Sequence, residues 1–376
     1  MASWLVAAWL SFSRSRSALL AVGLVAALAL WAVSTLVSGA VSIQPEASNS
    51  PAAVSVCGLS LCAAGRPFVI RGASAFGTYA KPQKEVTLAK RAGLNTLELI
   101  EFDTRYHVLS DTMSTATWDR VDTFIALARS HGLHVILNLS EYGQALQAEG
   151  ETPTTVDWGP YLNFIANRTN TADGLVYKND PTIAMVELFG EICSPGETGS
   201  TCPAGTTGTT GEMQSFFHRT EMEWHALAPT ILVSSGGFSH LVKPDSPPGV
   251  SNGIPYQAIY SDPANDVCDL EVNSANDYND AVPKVTSYCK AVGRPWFLSA
   301  WSSCYQDPGY GYYLATDGAM AAHARAMDRL ALGRSPSSEV AVGTDFWNLN
   351  HTPAKAGTCD IGPQFPLTWT TVQDNG

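Results

Sequence analysis

The sequence is short of charge, and of positive charge most of all. Only 15% of its 376 residues are Asp, Glu, Lys or Arg, and 22 Lys plus Arg stand against 34 Asp plus Glu, a formal net charge of −12. No block of Lys or Arg occurs, which excludes a nucleic-acid partner, because phosphate backbones are held by clustered cations. The low charge density also sets aside a disordered chain or a coiled coil. Missing too are the CxxC and HExxH spacings of zinc sites, a GxGxxG turn after a strand, and any repeat of roughly 20 to 50 residues. No metal and no cofactor are therefore expected.

What the chain does have is apolar and aromatic surface: 45% hydrophobic residues, with 10 Trp, 13 Tyr and 13 Phe. Arg14 and Arg16 precede an apolar run from Ala18 to Val41. A positive flank followed by such a run directs export. Residues 1–42 read as a signal peptide or a signal anchor. Ser38-Gly39-Ala40 offers small residues for cleavage, yet the run exceeds the ~20 residues that span a bilayer, so both outcomes stay open. Residues 43–53 form a linker, and 54–376 remain for one domain outside the cytoplasm, secreted or membrane-anchored.

Eight cysteines all lie beyond the export segment. An even number in an oxidising compartment points to disulfides. Among 105 possible connectivities, sequence order suggests nearest neighbours: Cys57 with Cys62, Cys193 with Cys202, Cys268 with Cys289, and Cys304 with Cys359.

Strand-like runs recur along the domain at Phe68–Arg71, Asn95–Ile100, His134–Leu139, Ile183–Leu188, Ile231–Ser234, Val267–Val272, Trp296–Ser299 and Val340–Phe346. Amphipathic stretches separate most of them. Val121, Phe124, Ile125 and Ala128 share one helical face that stops before Gly132, and Met213, Phe216, Phe217 and Trp224 mark another that Pro229 ends. Val282–Ala291 and Met320–Leu332 supply two more. Alternation on this scale argues for α/β architecture closed into a (β/α)8 TIM barrel, with a doubly wound open sheet as the alternative.

In a barrel the chemistry sits at the strand C-termini. Those ends hold Glu98 and Glu101, Glu141, Glu187 and Glu191, Asp269 and Glu271, Trp301, Asp345 and Trp347. Carboxyls protonate leaving oxygens and aromatic faces stack on sugar rings, so the pattern describes a glycosidase cleft. Tyr305, Tyr310, Tyr312 and Tyr313 form an aromatic loop that could floor it. His131, His134 and His240 lack metal-ligand spacing and read as packed or solvated.

Several segments carry a resemblance in order: Gly65 to Gly72, Ala92 to Thr96, Ala128 to Leu139, Asp180 to Glu191, Gly293 to Trp301 and the Trp347 region. Together they resemble glycoside hydrolase family 5 and its clan A relatives, the cellulase and β-mannanase branches above all. The resemblance implies an acid/base Glu after strand 4, matched by Glu191 although Gly190 stands where an Asn is usual. It also implies a nucleophilic Glu at the end of strand 7, where this chain has Ala300. Glu98 occupies a position usually Arg, and Asn276-Asp277-Tyr278 is the nearest match to a His-x-Tyr after strand 6.

A methyl group at position 300 cannot attack an anomeric carbon. Three readings follow. Another acid, Glu271 or Asp345, serves as second carboxyl; or the barrel binds glycans without cleaving them; or Glu98, Glu191 and Glu271 gather a divalent cation. The expectation is Glu191 and Glu271 as catalytic carboxyls, with Glu98, Glu141, Tyr278, Trp301, Tyr305, Asp345 and Trp347 as substrate contacts. The expected partner is an oligo- or polysaccharide, the membrane is touched only through an uncleaved N-terminal segment, and the protein is monomeric.

Overall fold

The structure, a computed structural model, describes residues 50–76, 81–100, 115–199, 202–239, 241–307, 314–333 and 341–375. The export segment lies outside them, as do Glu101, His240, Tyr310, Tyr312 and Tyr313. Among the described residues no helix is long and apolar enough to cross a membrane.

The chain enters through a small antiparallel sheet, β1 (Val54–Cys57), β2 (Ser60–Ala63) and β3 (Arg66–Phe68). Gly58 and Gly65 take the positive φ that its tight turns need, and the Cys57–Cys62 disulfide staples the first hairpin. Val54 and Leu61 on this sheet pack with Ile70, Ile136, Met185, Leu232, Val267, Phe297 and Val342. Those partners come from the starting ends of the barrel strands, so the small sheet closes the bottom of the barrel with an apolar plug.

Eight parallel strands follow: β4 (Ile70–Ser74), β5 (Thr96–Leu99), β6 (His134–Asn138), β7 (Ile183–Glu187), β8 (Leu232–Ser234), β9 (Cys268–Val272), β10 (Trp296–Trp301) and β11 (Ala341–Phe346). Their order around the sheet is β8-β7-β6-β5-β4-β11-β10-β9. Parallel bridges from Ser234 to Val267 and from Phe238 to Leu270 join the two ends and close the barrel. The closed sheet agrees with the sequence reading and excludes the open alternative. One strand is corrected: the run Phe68–Arg71 splits, because Phe68 belongs to the plug and the barrel strand begins at Ile70.

The helices are α1 (Pro82–Arg91), α2 (Thr115–Ser130), α3 (Ser140–Ala148), α4 (Gly159–Asn167), α5 (Thr210–Leu227), α6 (Tyr256–Tyr260), α7 (Val282–Val292), α8 (Asp317–Ala331) and α9 (Pro366–Asn375). The faces read from periodicity are the buried ones: Val121, Phe124, Ile125 and Ala128 on α2, and Met213, Phe216, Phe217 and Trp224 on α5. A capping box starts α5, where the Thr209 hydroxyl accepts from Glu212 N and the Glu212 carboxylate accepts from Thr209 N. All four cysteine pairs form as sequence order suggested.

The lower half of the barrel is ordinary and the upper half is not. Ile136, Met185 and Leu232 fill the apolar inner layer, and two residues onward on the same strands, on the same face, come Asn138, Glu187 and Ser234. Glu98 and Asp345 join that upper layer, where barrel interiors usually carry branched apolar side chains. Gly72, the register partner of Asp345, leaves it room: a Cβ there would stand 2.5 Å from Asp345 Oδ2.

The loops above β10 and β11 are tied together by Cys304–Cys359, with Asn348 N donating to the Cys359 carbonyl at 3.3 Å. That bond closes a sequence separation of 55. A Cys304→Ser/Cys359→Ser protein is expected to lose up to about 4 kcal/mol of unfolding free energy, read as a lower urea midpoint.

Candidate active site

A pocket of about 330 Å³ opens at the C-terminal end of the strands. Glu98 and Ile100 reach it from β5, Asn138 from β6, Glu187 and Glu191 from β7, Glu271 and Asn273 from β9, and Ser299 and Ala300 from β10. Glu141 and Gln144 on α3 form one rim, and Phe76 and Trp347 form the opposite wall, their ring centroids 4.6 Å apart. The peptide between Trp347 and Asn348 is cis. A larger hollow of about 650 Å³, lined by Arg71, Arg325 and Arg329, lies at the starting ends of β4 and β11. It gathers no set of convergent carboxyls, so size is outweighed here by chemistry.

The floor is a chain of buried acids. Asn138 Nδ2 donates to Glu98 Oε1 at 2.7 Å and to Glu187 Oε2 at 3.1 Å. Ser74 Oγ lies 2.6 Å from Glu98 Oε2 and 3.4 Å from Asp345 Oδ1. Burial pushes Glu98 upward even though Glu187, Ser74 and Asn138 hydrogen-bond to it. Burial also drives Glu187 well above the usual carboxylate range, followed by the charge of Glu98 and then those of Asp269 and Asp345. Both accept from the one Asn138 amide, and ionising two such carboxyls in a low-dielectric interior is costly, which is why the charge of Glu98 raises Glu187.

Glu271 sits beside this floor, 7% exposed, with one oxygen accepting from Asn273 Nδ2 at 3.1 Å. Burial raises it well above the ordinary range, and the neighbouring charge of Glu191 is the next cause. Glu191 itself is exposed at the pocket edge and accepts from Gln144 Nε2 at 3.2 Å. Ala300 and Glu271 are register partners across β10 and β9, just past a bulge at Leu298.

Gly190 fits a different constraint from the one its sequence position suggests. A Cβ on Gly190 would stand 1.8 Å from the Gly236 carbonyl oxygen. The ends of β7 and β8 therefore touch backbone to backbone, and the asparagine implied by resemblance has no space. Asp269 fixes the other side of that contact, accepting from Gly236 N at 2.7 Å and from Ser235 Oγ at 2.6 Å.

The structure brings together Glu98, Glu141, Glu191, Glu271 and Trp347 and leaves four expected contacts elsewhere. Trp301 is 1% exposed and packs inside the barrel wall, its Nε1 donating to Thr344 Oγ1. Tyr305 pairs with Leu314 and Thr358 and stacks on Phe365, away from the pocket. Tyr278 belongs to the π-helical turn Asp277–Ala281 and packs on the core. Asp345 is fully buried beneath Ser74 and Glu98, where it supports the floor rather than touching the cavity. Trp301 turns to the outer face of its strand end, Tyr305 and Tyr278 lie on segments past the strands, and Asp345 points inward but below the cavity.

Among the described residues no group of three or more His, Cys, Asp or Glu is arranged to hold a metal ion, the trio Glu98, Glu191 and Glu271 included. His134 is a packed histidine, edge-on to Phe68 and pushed down to about 4 by burial. Phe76, Asn138, Gln144, Asn273 and Ser299 are pocket residues that sequence reasoning passed over. For Asn138 a signal existed, since it stands two residues after the inward Ile136. The sequence does contain a GxSxG pattern, Gly249-Val250-Ser251-Asn252-Gly253, but it forms no nucleophile elbow: Ser251 is buried in a turn bridged to Ile254, and its hydroxyl donates to the Lys243 carbonyl at 2.7 Å.

No protein-family model matches the sequence, and no curated protein matches it. Solved structures do. The endo-1,4-β-mannanase of Rhizomucor miehei superposes with a TM-score of 0.63 at 17% identity, over 86% of this chain and 99% of that one. A glycoside hydrolase family 5 mannosidase from the same organism gives 0.60 at 15% identity, over 86% and 96%. A β-glucanase of Saccharophagus degradans gives 0.55 at 15% identity, over 86% and 94%. The chain thus has the barrel fold of family 5 glycoside hydrolases, and identities this low speak to fold alone.

The Gly190 contact is directly testable. Gly190→Asn is expected to cost at least about 2 kcal/mol, because two backbone segments must separate to admit the side chain. Thermal unfolding of the variant beside the parent measures it.

Proposed function

We propose that the protein is a glycoside hydrolase acting on a β-linked glycan, with Glu191 and Glu271 as its working carboxyls. The observation that carries this reading is the pairing of Ala300 with Glu271 in register across adjacent strands. Neighbouring strands stand about 4.8 Å apart. The carboxyl absent from position 300 is therefore replaced by one a single strand away, at the same height and facing the same pocket. Trp347 supplies an aromatic wall on which a sugar ring can stack.

Glycoside hydrolysis needs one carboxyl that arrives protonated and one that arrives charged. Resemblance gives the acid/base role to Glu191. The contrast in burial between the two supports the opposite division in the resting pocket. Glu271, buried and raised by burial and by the field of Glu191, holds a proton that it can pass to the glycosidic oxygen as the bond to the anomeric carbon breaks. Glu191, exposed at the edge, supplies the charged partner that attacks or that takes a proton from water.

Ala300 also favours a second reading, a barrel that binds glycan without cleaving it. Reducing-end release from mannan, xylan and β-glucan panels separates the two, since affinity without release leaves only the binder. Under the hydrolase reading Glu191→Gln and Glu271→Gln each lower release by about 100-fold or more. The pH dependence follows from the sign of the shift. Glu271 sets the alkaline limb: activity holds while it is protonated, below its raised value, and is lost as pH rises through that value, whereas the acid limb belongs to the partner that must stay charged. A rate that instead climbs through the alkaline limb would assign the proton to another group.

A further inference from the structure

Three Asn-x-Ser/Thr tripeptides occur in the chain: Asn138-Leu139-Ser140, Asn167-Arg168-Thr169 and Asn350-His351-Thr352. Each matches the acceptor of an Asn-linked glycan, a bulky group that a folded domain carries on its surface. All eight cysteines are paired, as they are in the oxidising compartment beyond the export membrane, where such glycans are added. Burial then decides which asparagine stays open.

The fold closes two of the three. Asn138 is 6% exposed on the barrel floor, with Nδ2 donating to Glu98 and Glu187 and Oδ1 accepting from Ser140 N at 2.9 Å. A sugar on that nitrogen would fill the barrel interior, so a chain modified there does not fold. Asn350 is half-buried, its Oδ1 accepting from Lys84 Nζ at 2.7 Å and from His351 N at 2.8 Å. The hydroxyl of its tripeptide is engaged as well, Thr352 Oγ1 donating to Asp360 Oδ2 at 2.7 Å, beside the Cys304–Cys359 bond.

Asn167 is different. It is the last residue of α4, and it and Thr169 are exposed while Arg168 between them is drawn inward. Arg168 is extended (φ −62°, ψ 128°), and its Nε and Nη2 donate to the two carboxylate oxygens of the buried Asp122 at 2.8 and 2.7 Å. In extended chain, successive side chains point to opposite sides. Pinning Arg168 to the domain therefore turns the side chains of Asn167 and Thr169 outward together. The bonds Asn167 makes, to Asn163 Oδ1 at 2.8 Å and from Lys178 Nζ at 2.7 Å, are exposed and cost little to give up. None of the three residues lines the pocket.

We infer that Asn167 is the glycosylation acceptor of this protein and that Asn138 and Asn350 are bare, whether or not the barrel hydrolyses glycans. The donor is an oligosaccharide linked to a polyprenyl diphosphate. The Asn167 amide nitrogen bonds to the anomeric carbon, the bond from that carbon to the diphosphate oxygen breaks, the diphosphate leaves with the electron pair, and one amide proton passes to a base of the transferase.

The test is expression of the full chain, its own export segment included, in a yeast, whose export membrane carries such a transferase. The folded protein is read by peptide mass spectrometry and by gel mobility before and after enzymatic removal of Asn-linked glycans. A glycan on the Asn167 peptide, bare Asn138 and Asn350 peptides, and a mobility shift of one glycan that the enzyme removes are expected. Asn167→Gln abolishes the shift, and so does Thr169→Ala, which keeps the asparagine; both positions are exposed, so neither change disturbs the fold. An unmodified Asn167 in the full chain overturns the inference, as does occupancy of Asn138 or Asn350 equal to or above that of Asn167. A shift that persists in either variant overturns it too.

Discussion

Carboxyls crowded together away from water are the constraint on which the upper barrel depends. Glu98, Glu187, Asp269, Glu271 and Asp345 are all buried there. Left ionised and unpaired they would be untenable, since a charge moved into the interior loses its hydration. Asn138 and Ser74 hydrogen-bond to part of the set, and burial raises Glu187 and Asp345 well above the usual carboxylate range. The roles proposed for Glu271 and Glu191 draw on the same constraint, one carboxyl buried and the other exposed at a single pocket.

Room for this polar layer is made below it and beside it. The small N-terminal sheet seals the bottom of the barrel with apolar side chains, so the interior that an ordinary barrel fills with branched residues can be given over to acids at the top. Gly72 yields space to Asp345, and Gly190 meets Gly236 backbone to backbone, which draws the ends of β7 and β8 together. Asp269 locks that approach from behind through Ser235 and Gly236.

The fold was largely legible in the chain. Strand runs and helix faces follow from periodicity, a local property, and the four disulfide pairs match the nearest-neighbour order that the cysteines only suggested. The site was legible only in part. Glu98, Glu141, Glu191, Glu271 and Trp347 meet in one pocket, whereas Trp301, Tyr305 and Tyr278 pack elsewhere. Aromatic residues at a strand end are equally good wall and equally good core, and composition does not tell which.

The sequence by itself determined a closed α/β barrel, four staples and an acid-rich mouth, since hydrophobic period and residue type act locally. Only the tertiary structure decided which acids face one another. The register of β9 against β10 sets Glu271 beside Ala300, and the inward face of β5 and β7 sets Glu98 against Glu187. Those pairings arise between strands far apart in the chain, and a carboxyl's charge depends on burial and neighbours that no single stretch of sequence contains.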